Sequence, residues 1–164
     1  MILQWQRQTL SNRWFALYDE FHASILPCIR IGDDRDYDRY GVLAGEEVRP
    51  DILKMNRIIE KPGKENAPSS FASVGGFLFT PDVLEYLERG LAGLTEGQEF
   101  YVSDSLIQPM LADGKAFYGA ITQNGQRYDT GDKLEYLKTV FDFGLKHEEL
   151  GPELRAYLEN RLKD

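Results

Sequence analysis

The chain has 164 residues, enough for one domain with a hydrophobic core of its own. Hydrophobic residues make up 42% and charged residues 28%, the balance of an ordinary globular protein. The net charge of -8 argues against non-specific binding to nucleic acid or to anionic membranes, though a local lysine can still hold a small phosphate-bearing ligand.

Cys28 is the only cysteine, so no internal disulfide can form. It lies in the apolar run Ile25-Leu26-Pro27-Cys28-Ile29 and reads as a core thiol. No stretch approaches the ~18 apolar residues of a membrane span. The first residues, Met1 to Arg7, lack the apolar segment of a signal peptide. The expectation is a cytoplasmic protein.

Met1 to Leu10 shows no clear pattern. Trp14, Leu17, Tyr18 and Phe21 recur at helical spacing, so Arg13 to Phe21 is predicted as a helix, with Ser11 or Asn12 as its cap. Ala23 to Ile31 is rich in apolar and β-branched residues and reads as a strand. The charged run Asp33 to Arg39 reads as a solvated loop or helical turn. Tyr40 to Leu43 is a short strand, Gly45-Glu46-Glu47 a turn, and Leu53 to Glu60 a strand stopped by Pro62-Gly63. Lys64 to Ser70 is a polar loop.

Phe71 to Thr80 is predicted as a strand. Its consecutive glycines, Gly75 and Gly76, suggest close approach by a ligand or another backbone. Thr80-Pro81-Asp82 opens a helix that runs to Arg89 and ends at Gly90. A loop spans Leu91 to Gly97. Ser103 or Asp104 starts another helix, to Leu111. Lys115 to Gln123 is a strand, and Asn124-Gly125 a turn. Asp132 to Lys146 is a helix with Leu134, Leu137, Val140, Phe141 and Leu145 on one apolar face. A last helix runs from Pro152 to Leu162. Strands and helices mixed over this length predict a single α/β domain.

Two short motifs could carry chemistry. In Ile58-Ile59-Glu60-Lys61-Pro62 a strand gives way to a turn. A glutamate there can accept hydrogen bonds from a sugar diol, and a lysine is a point-charge partner for phosphate. Taken alone, Glu-Lys-Pro is more often an exposed turn. In Gln126-Arg127-Tyr128-Asp129-Thr130-Gly131-Asp132-Lys133 the chain turns into a helix. Asp132 suits a helix cap. Asp129 could ligate Mg²⁺, which takes one or two protein carboxylates besides phosphate oxygens, or could simply be a turn aspartate. His22 and His147 are isolated and read as surface residues. No spacing of His, Cys, Asp and Glu suggests zinc, and no Ser-His-Asp or Cys-His arrangement is evident.

The order of the motifs resembles the C-terminal half of the bacterial UTP–glucose-1-phosphate uridylyltransferases, a family of sugar-nucleotide nucleotidyltransferases. The matching segments are Arg39-Tyr40-Gly41-Val42, Ile59-Glu60-Lys61-Pro62, Glu65-Asn66-Ala67-Pro68-Ser69, Ser73-Val74-Gly75 and Leu78-Phe79-Thr80-Pro81-Asp82. Further along come a degenerate Glu99-Phe100-Tyr101-Val102-Ser103-Asp104, then Arg127-Tyr128-Asp129-Thr130-Gly131-Asp132-Lys133 and the tail Leu150-Gly151-Pro152-Glu153-Leu154. The likeness runs from about residue 14 to residue 164.

The resemblance implies a partial nucleotidyltransferase fold of Rossmann-like α/β type, a mixed sheet with flanking helices. In it Glu60 would bind hydroxyls of the glucosyl ring. Lys61 would hold the sugar phosphate, and Gly41 with Ser73, Val74 and Gly75 would let backbone approach the sugar. Asp129 would ligate Mg²⁺. Glucose-1-phosphate or UDP-glucose would be the ligand. In the complete family enzyme an oxygen of glucose-1-phosphate attacks the α-phosphorus of UTP and pyrophosphate leaves.

Two family features have no match: the Gly-rich loop with Arg and Lys that grips the triphosphate, and a Leu-Pro-Asp segment with a second Mg²⁺ ligand. The expectation is therefore a truncated, catalytically incomplete chain that lacks the N-terminal nucleotide-binding half. Its exposed sheet edge would favour a homo-oligomer, in the simplest case a dimer. A non-catalytic sugar-phosphate-binding or oligomerisation module, and a thymidylyl relative, are the alternatives.

Overall fold

The computed structural model describes residues 2–4, 10–123 and 126–163. Where the sequence reads as one domain, contacts group into two compact units: residues 8–123, and residues 124–164 together with those up to 7.

In the first unit α1 (Leu10–Phe21) starts ahead of Ser11 and Asn12, the residues expected to cap it. It leads to β2 (Ser24–Arg30), whose first residues are all buried. (β1, Ile2–Gln4, lies in the other unit.) β3 (Gly41–Arg49) and β4 (Ile52–Glu60) form a long antiparallel hairpin. β5 (Phe71–Ser73) and β6 (Phe117–Ile121) complete the set. β2 pairs with β6 in parallel and with β5 antiparallel, β4 with β6, and β3 with β5 at Val42 and Ala72. The expected mixed sheet is present, closed into the ring β2-β5-β3-β4-β6. The free edge expected from the sequence is thus paired within this unit. Phe71, Phe117, Leu26, Leu43, Ile107 and Met110 fill the core.

Four local departures have physical causes. The expected turn at Gly45-Glu46-Glu47 is strand, with register shifts at Ala44/Gly45 and Glu47/Arg49. Such bulges add twist, which suits a sheet that curls closed. The expected strand from Phe71 to Thr80 stops at Ser73, because Gly75 and Gly76 adopt φ of +83° and +74°. Leu78 then rejoins β2 by a bridge to Ile25. Third, Thr80 does not cap the next helix: its hydroxyl donates to the Asp82 carboxylate, and α2 spans Val83–Ala92. Gly90 lies inside that helix rather than ending it. A Cβ there would meet the Phe100 ring at 2.8 Å and the Ser105 carbonyl oxygen at 2.9 Å, so its role is close packing. The expected helix near residue 103 is present, with Ser103–Ile107 wound as a π-helix before α3 (Gln108–Ala112).

The second unit pairs β1 (Ile2–Gln4) antiparallel with β7 (Gln126–Tyr128), neither of which the sequence pattern signals. The Asn124-Gly125 turn lies outside the described residues. α4 (Lys133–Lys146) follows, with Asp132 accepting from the amides of Leu134 and Glu135 as its cap. α5 spans Gly151–Arg161. The apolar face of α4 does not form a core: Leu134, Leu137, Val140 and Phe141 are 59%, 53%, 51% and 42% exposed. The helix packs through other residues, Phe143 on the Tyr128 ring (5.3 Å between centroids) and Gly144 beneath Leu154. No helix among the described residues is long and apolar enough to cross a membrane.

Candidate functional site

The ring of strands sets Glu60, Gly41 and Ser73 side by side. Glu60 ends β4 and pairs with Gly41, the first residue of β3. Val42, next to Gly41, pairs with Ala72 on β5, next to Ser73. Ser73 in turn pairs with Cys28 on β2. Gly41 is buried and Glu60 exposed, so the row runs from the core to an open carboxylate. A Cβ at Gly41 would meet Glu60 Oε2 at 3.0 Å and Ile58 Cδ1 at 3.0 Å. The glycine therefore leaves the space in which the Glu60 head lies.

Lys61 follows with φ of +46°, one of three non-glycine residues with positive φ among those described. That conformation costs an L-residue roughly 1–2 kcal/mol and concentrates where surrounding structure, often at a functional site, imposes it. Here the imposing contacts are visible. The Lys61 amide donates to the Tyr40 carbonyl at 3.1 Å and the Gly63 amide to the Tyr37 carbonyl at 3.2 Å. Asn66 donates to the Pro62 carbonyl, and Lys64 pairs with Asp34 at 2.6 Å. Two 3₁₀ turns, Asp34–Asp38 and Lys64–Asn66, thus hold the Glu60-Lys61-Pro62 corner and leave both charged side chains exposed.

Of the Ser73-Val74-Gly75 segment, Val74 turns its side chain into the core and its amide donates to the Pro27 carbonyl. Gly75 faces open space on the side where a Cβ would stand. What this segment leaves open to solvent is Gly75 rather than the Val74 side chain. Cys28 is fully buried, and burial pushes its thiol far above the usual range, so it stays protonated and inert. His22 and His147 are exposed, as expected.

Asp129 belongs to the second unit. It is half-buried, and its Oδ1 accepts from the Gly131 amide at 3.0 Å, an Asx turn leading into α4. Beside it a cavity of about 450 Å³ is lined by Thr130, Gly131, Lys133, Tyr136 and Leu137. Among the described residues no three His, Cys, Asp or Glu side chains gather as a metal cluster. A single carboxylate fits an ion that keeps water and substrate phosphate as its other ligands, the habit of Mg²⁺, and does not fit an all-protein cage.

The family model described as Nucleotidyl transferase matches residues 12–143. The chain belongs to the nucleotidyl transferase family. Within the family, UTP–glucose-1-phosphate uridylyltransferase 1 of Streptococcus pyogenes serotype M3 is 34% identical over 151 residues, which is 91% of this chain and 47% of that protein. The enzyme of Streptococcus pneumoniae serotype 4 is 34% identical over 142 residues, 86% of this chain and 46% of that protein. Among solved structures, a UTP-bound UGPase from Acinetobacter baumannii superposes with a TM-score of 0.77 at 27% identity, covering 96% of this chain and 52% of that one. The resemblance read from the motifs is borne out for family and fold. The chain spans about half the length of the curated relatives it matches.

Proposed function

We propose that this nucleotidyl transferase chain carries the sugar-phosphate side of a UTP–glucose-1-phosphate uridylyltransferase, with glucose-1-phosphate or UDP-glucose as its ligand. The observation that carries the reading is the corner at residues 60–61: Glu60 lies over Gly41, and Lys61 is held in a strained conformation with its ammonium exposed. Glu60 would accept two sugar hydroxyls, and Lys61 would pair with the phosphate. The relatives' names support the uridylyl assignment.

Asp129 would hold Mg²⁺. Bound there, the ion would offset charge on phosphate oxygens. The contribution of the protein side chains is positioning and charge, with no covalent intermediate. Action on a sugar nucleotide suits a cytoplasmic location.

Self-association belongs to the same reading. With the strands of the first unit closed into a ring, its support is no longer a free edge but the exposed stripe on α4.

The test is calorimetric titration of glucose-1-phosphate and UDP-glucose, with Mg²⁺, into the chain and its Lys61→Ala variant. Binding that disappears in the variant is the expected result. Equal binding by both proteins, or by neither, overturns the assignment. The sequence has no counterpart of the Gly-rich loop that grips a triphosphate, so UTP-dependent pyrophosphate release by these 164 residues alone is expected to be absent.

A further inference from the structure

The two units differ in how completely each buries itself. In the first, five strands close into a ring around a packed core. In the second, β1 and β7 form a two-stranded sheet, and among the described residues each strand is paired on one side only. Such a sheet is marginal in water unless further strands or a helix cover it. Tyr128 is the one hydrophobic side chain buried among the described residues of this unit. Neither of the two hydrophobic clusters among the described residues takes in a residue of it. On α4, meanwhile, Leu134, Leu137, Val140 and Phe141 stay between 42% and 59% exposed. An open strand edge and an apolar helix face are the two parts from which an α/β layer is extended.

The relatives indicate what extends it. The family model takes in residues 12–143, most of α4 included. The solved Acinetobacter baumannii structure superposes on 96% of this chain, leaving out fewer residues than α4 contains, and is itself 52% covered. In that structure α4 thus has its counterpart in a fold nearly twice this size. The ring of the first unit has every strand paired on both sides, so it offers the remainder no free edge. The second unit offers both an edge and an apolar face. We propose that the α4 stripe and the β1–β7 edge are the docking surface for the remainder of the nucleotidyl transferase fold, an α/β polypeptide carrying the loop that grips the triphosphate. A second copy of this chain covers the stripe only while that polypeptide is absent.

Two measurements test it. The first is hydrogen exchange on the 164-residue chain, dilute enough to be monomeric. Amides of α4 and β7 are expected to exchange at least about 100-fold faster than those of β2 and β6, because an uncovered layer opens locally. Equal protection would make the second unit complete in itself and overturns the proposal. The second measurement co-expresses the chain with the part of the Streptococcus pneumoniae enzyme that precedes the matching segment. A one-to-one complex on size exclusion, with exchange in α4 slowed, is the expected result. The double change Leu137→Glu with Phe141→Glu is expected to weaken that complex at least about ten-fold. Lys61→Ala, in the first unit, is expected to leave it unchanged. Failure to co-purify, or a double variant that co-purifies as well as its parent, overturns the proposal. Pyrophosphate release from UTP and glucose-1-phosphate by the complex reads the proposed function separately. A complex without that release still supports the docking surface and counts against the functional reading.

Discussion

Gly41 and Glu60 face each other across the β3–β4 ladder, and a Cβ at residue 41 would stand 3.0 Å from a Glu60 carboxylate oxygen. Of the atoms a Cβ would meet, Glu60 Oε2 ends an exposed side chain, while Ile58 Cδ1 and Cγ1, at 3.0 and 3.3 Å, belong to a buried one that must give by only a few tenths of an ångström. Gly41→Ala should therefore fold, with a stability loss of about 1 kcal/mol or less. What it should lose is the position of the carboxylate. Glucose-1-phosphate affinity is expected to fall at least about five-fold, roughly 1 kcal/mol. Calorimetry beside a denaturant titration separates the two quantities, and an unchanged affinity would remove Glu60 from the site.

Lys61 sits at φ +46°, where glycine carries no Cβ penalty. Lys61→Gly should raise stability by about 0.5–1 kcal/mol after allowing for the greater freedom of glycine in the unfolded chain. Lys61→Ala should leave it nearly unchanged. Both should abolish phosphate binding. A protein that becomes more stable as it loses its ligand is the signature of a residue retained for function. If Lys61→Gly is less stable than wild type, the strain argument is wrong.

The sequence made family, fold class and most elements legible because their signals are local. Asp132 before Lys133 marks the α4 cap directly, and Leu53 to Glu60 alternates into a strand that ends at Pro62. It misled wherever a glycine serves a partner distant in sequence. Gly45 reads as a turn but accommodates the Lys54 backbone across the hairpin, and Gly90 reads as a helix end but accommodates Phe100. The closing of β3 onto β5 through Val42 and Ala72 is a non-local pairing with no pattern of its own. The proposed site residues Glu60 and Lys61 are legible as a motif, whereas the pairing of Glu60 with Gly41 is not, since it depends on the register of β3 on β4.

Gly45→Ala tests the bulge. A Cβ there would collide with the carbonyl oxygen of Lys54, which is backbone and cannot turn away, and φ of +155° is itself unfavourable for a side chain. The loss should reach about 2–3 kcal/mol, well above that of Gly41→Ala. A midpoint shift in urea at unchanged slope would show it. A near-neutral result would mean that the ladder runs through residue 45 without the register shift.

Asp82 offers a pH test away from the site. Its hydrogen bond with Lys115, at 2.6 Å, and a second from Thr80 hold its carboxyl below the ordinary value. A lowered folded-state pKa stabilises the fold above the unfolded value, about 3.9, and that contribution is lost as pH falls through the lowered one. Asp82→Asn should melt below wild type near pH 7, and the gap should close as pH drops below about 4. Thermal scans of both proteins between about pH 7 and pH 2 measure it. A gap that stays constant would show that the pair contributes by packing instead of charge.

The α4 stripe sets the last expectation. Leu134, Leu137 and Phe141 fall at i, i+3 and i+7, the spacing of a helix face that is normally buried, yet each is more than two-fifths exposed. Large exposed apolar patches of this kind mark interaction surfaces. The chain should therefore self-associate, and the double change Leu137→Glu with Phe141→Glu should shift it to monomer. Because both side chains already face solvent, folding stability should move by no more than about 0.5 kcal/mol. Sedimentation velocity across a concentration series reads the first effect and thermal melting the second. A wild-type chain that stays monomeric at high concentration ends this argument, as does a double variant that associates as tightly as its parent.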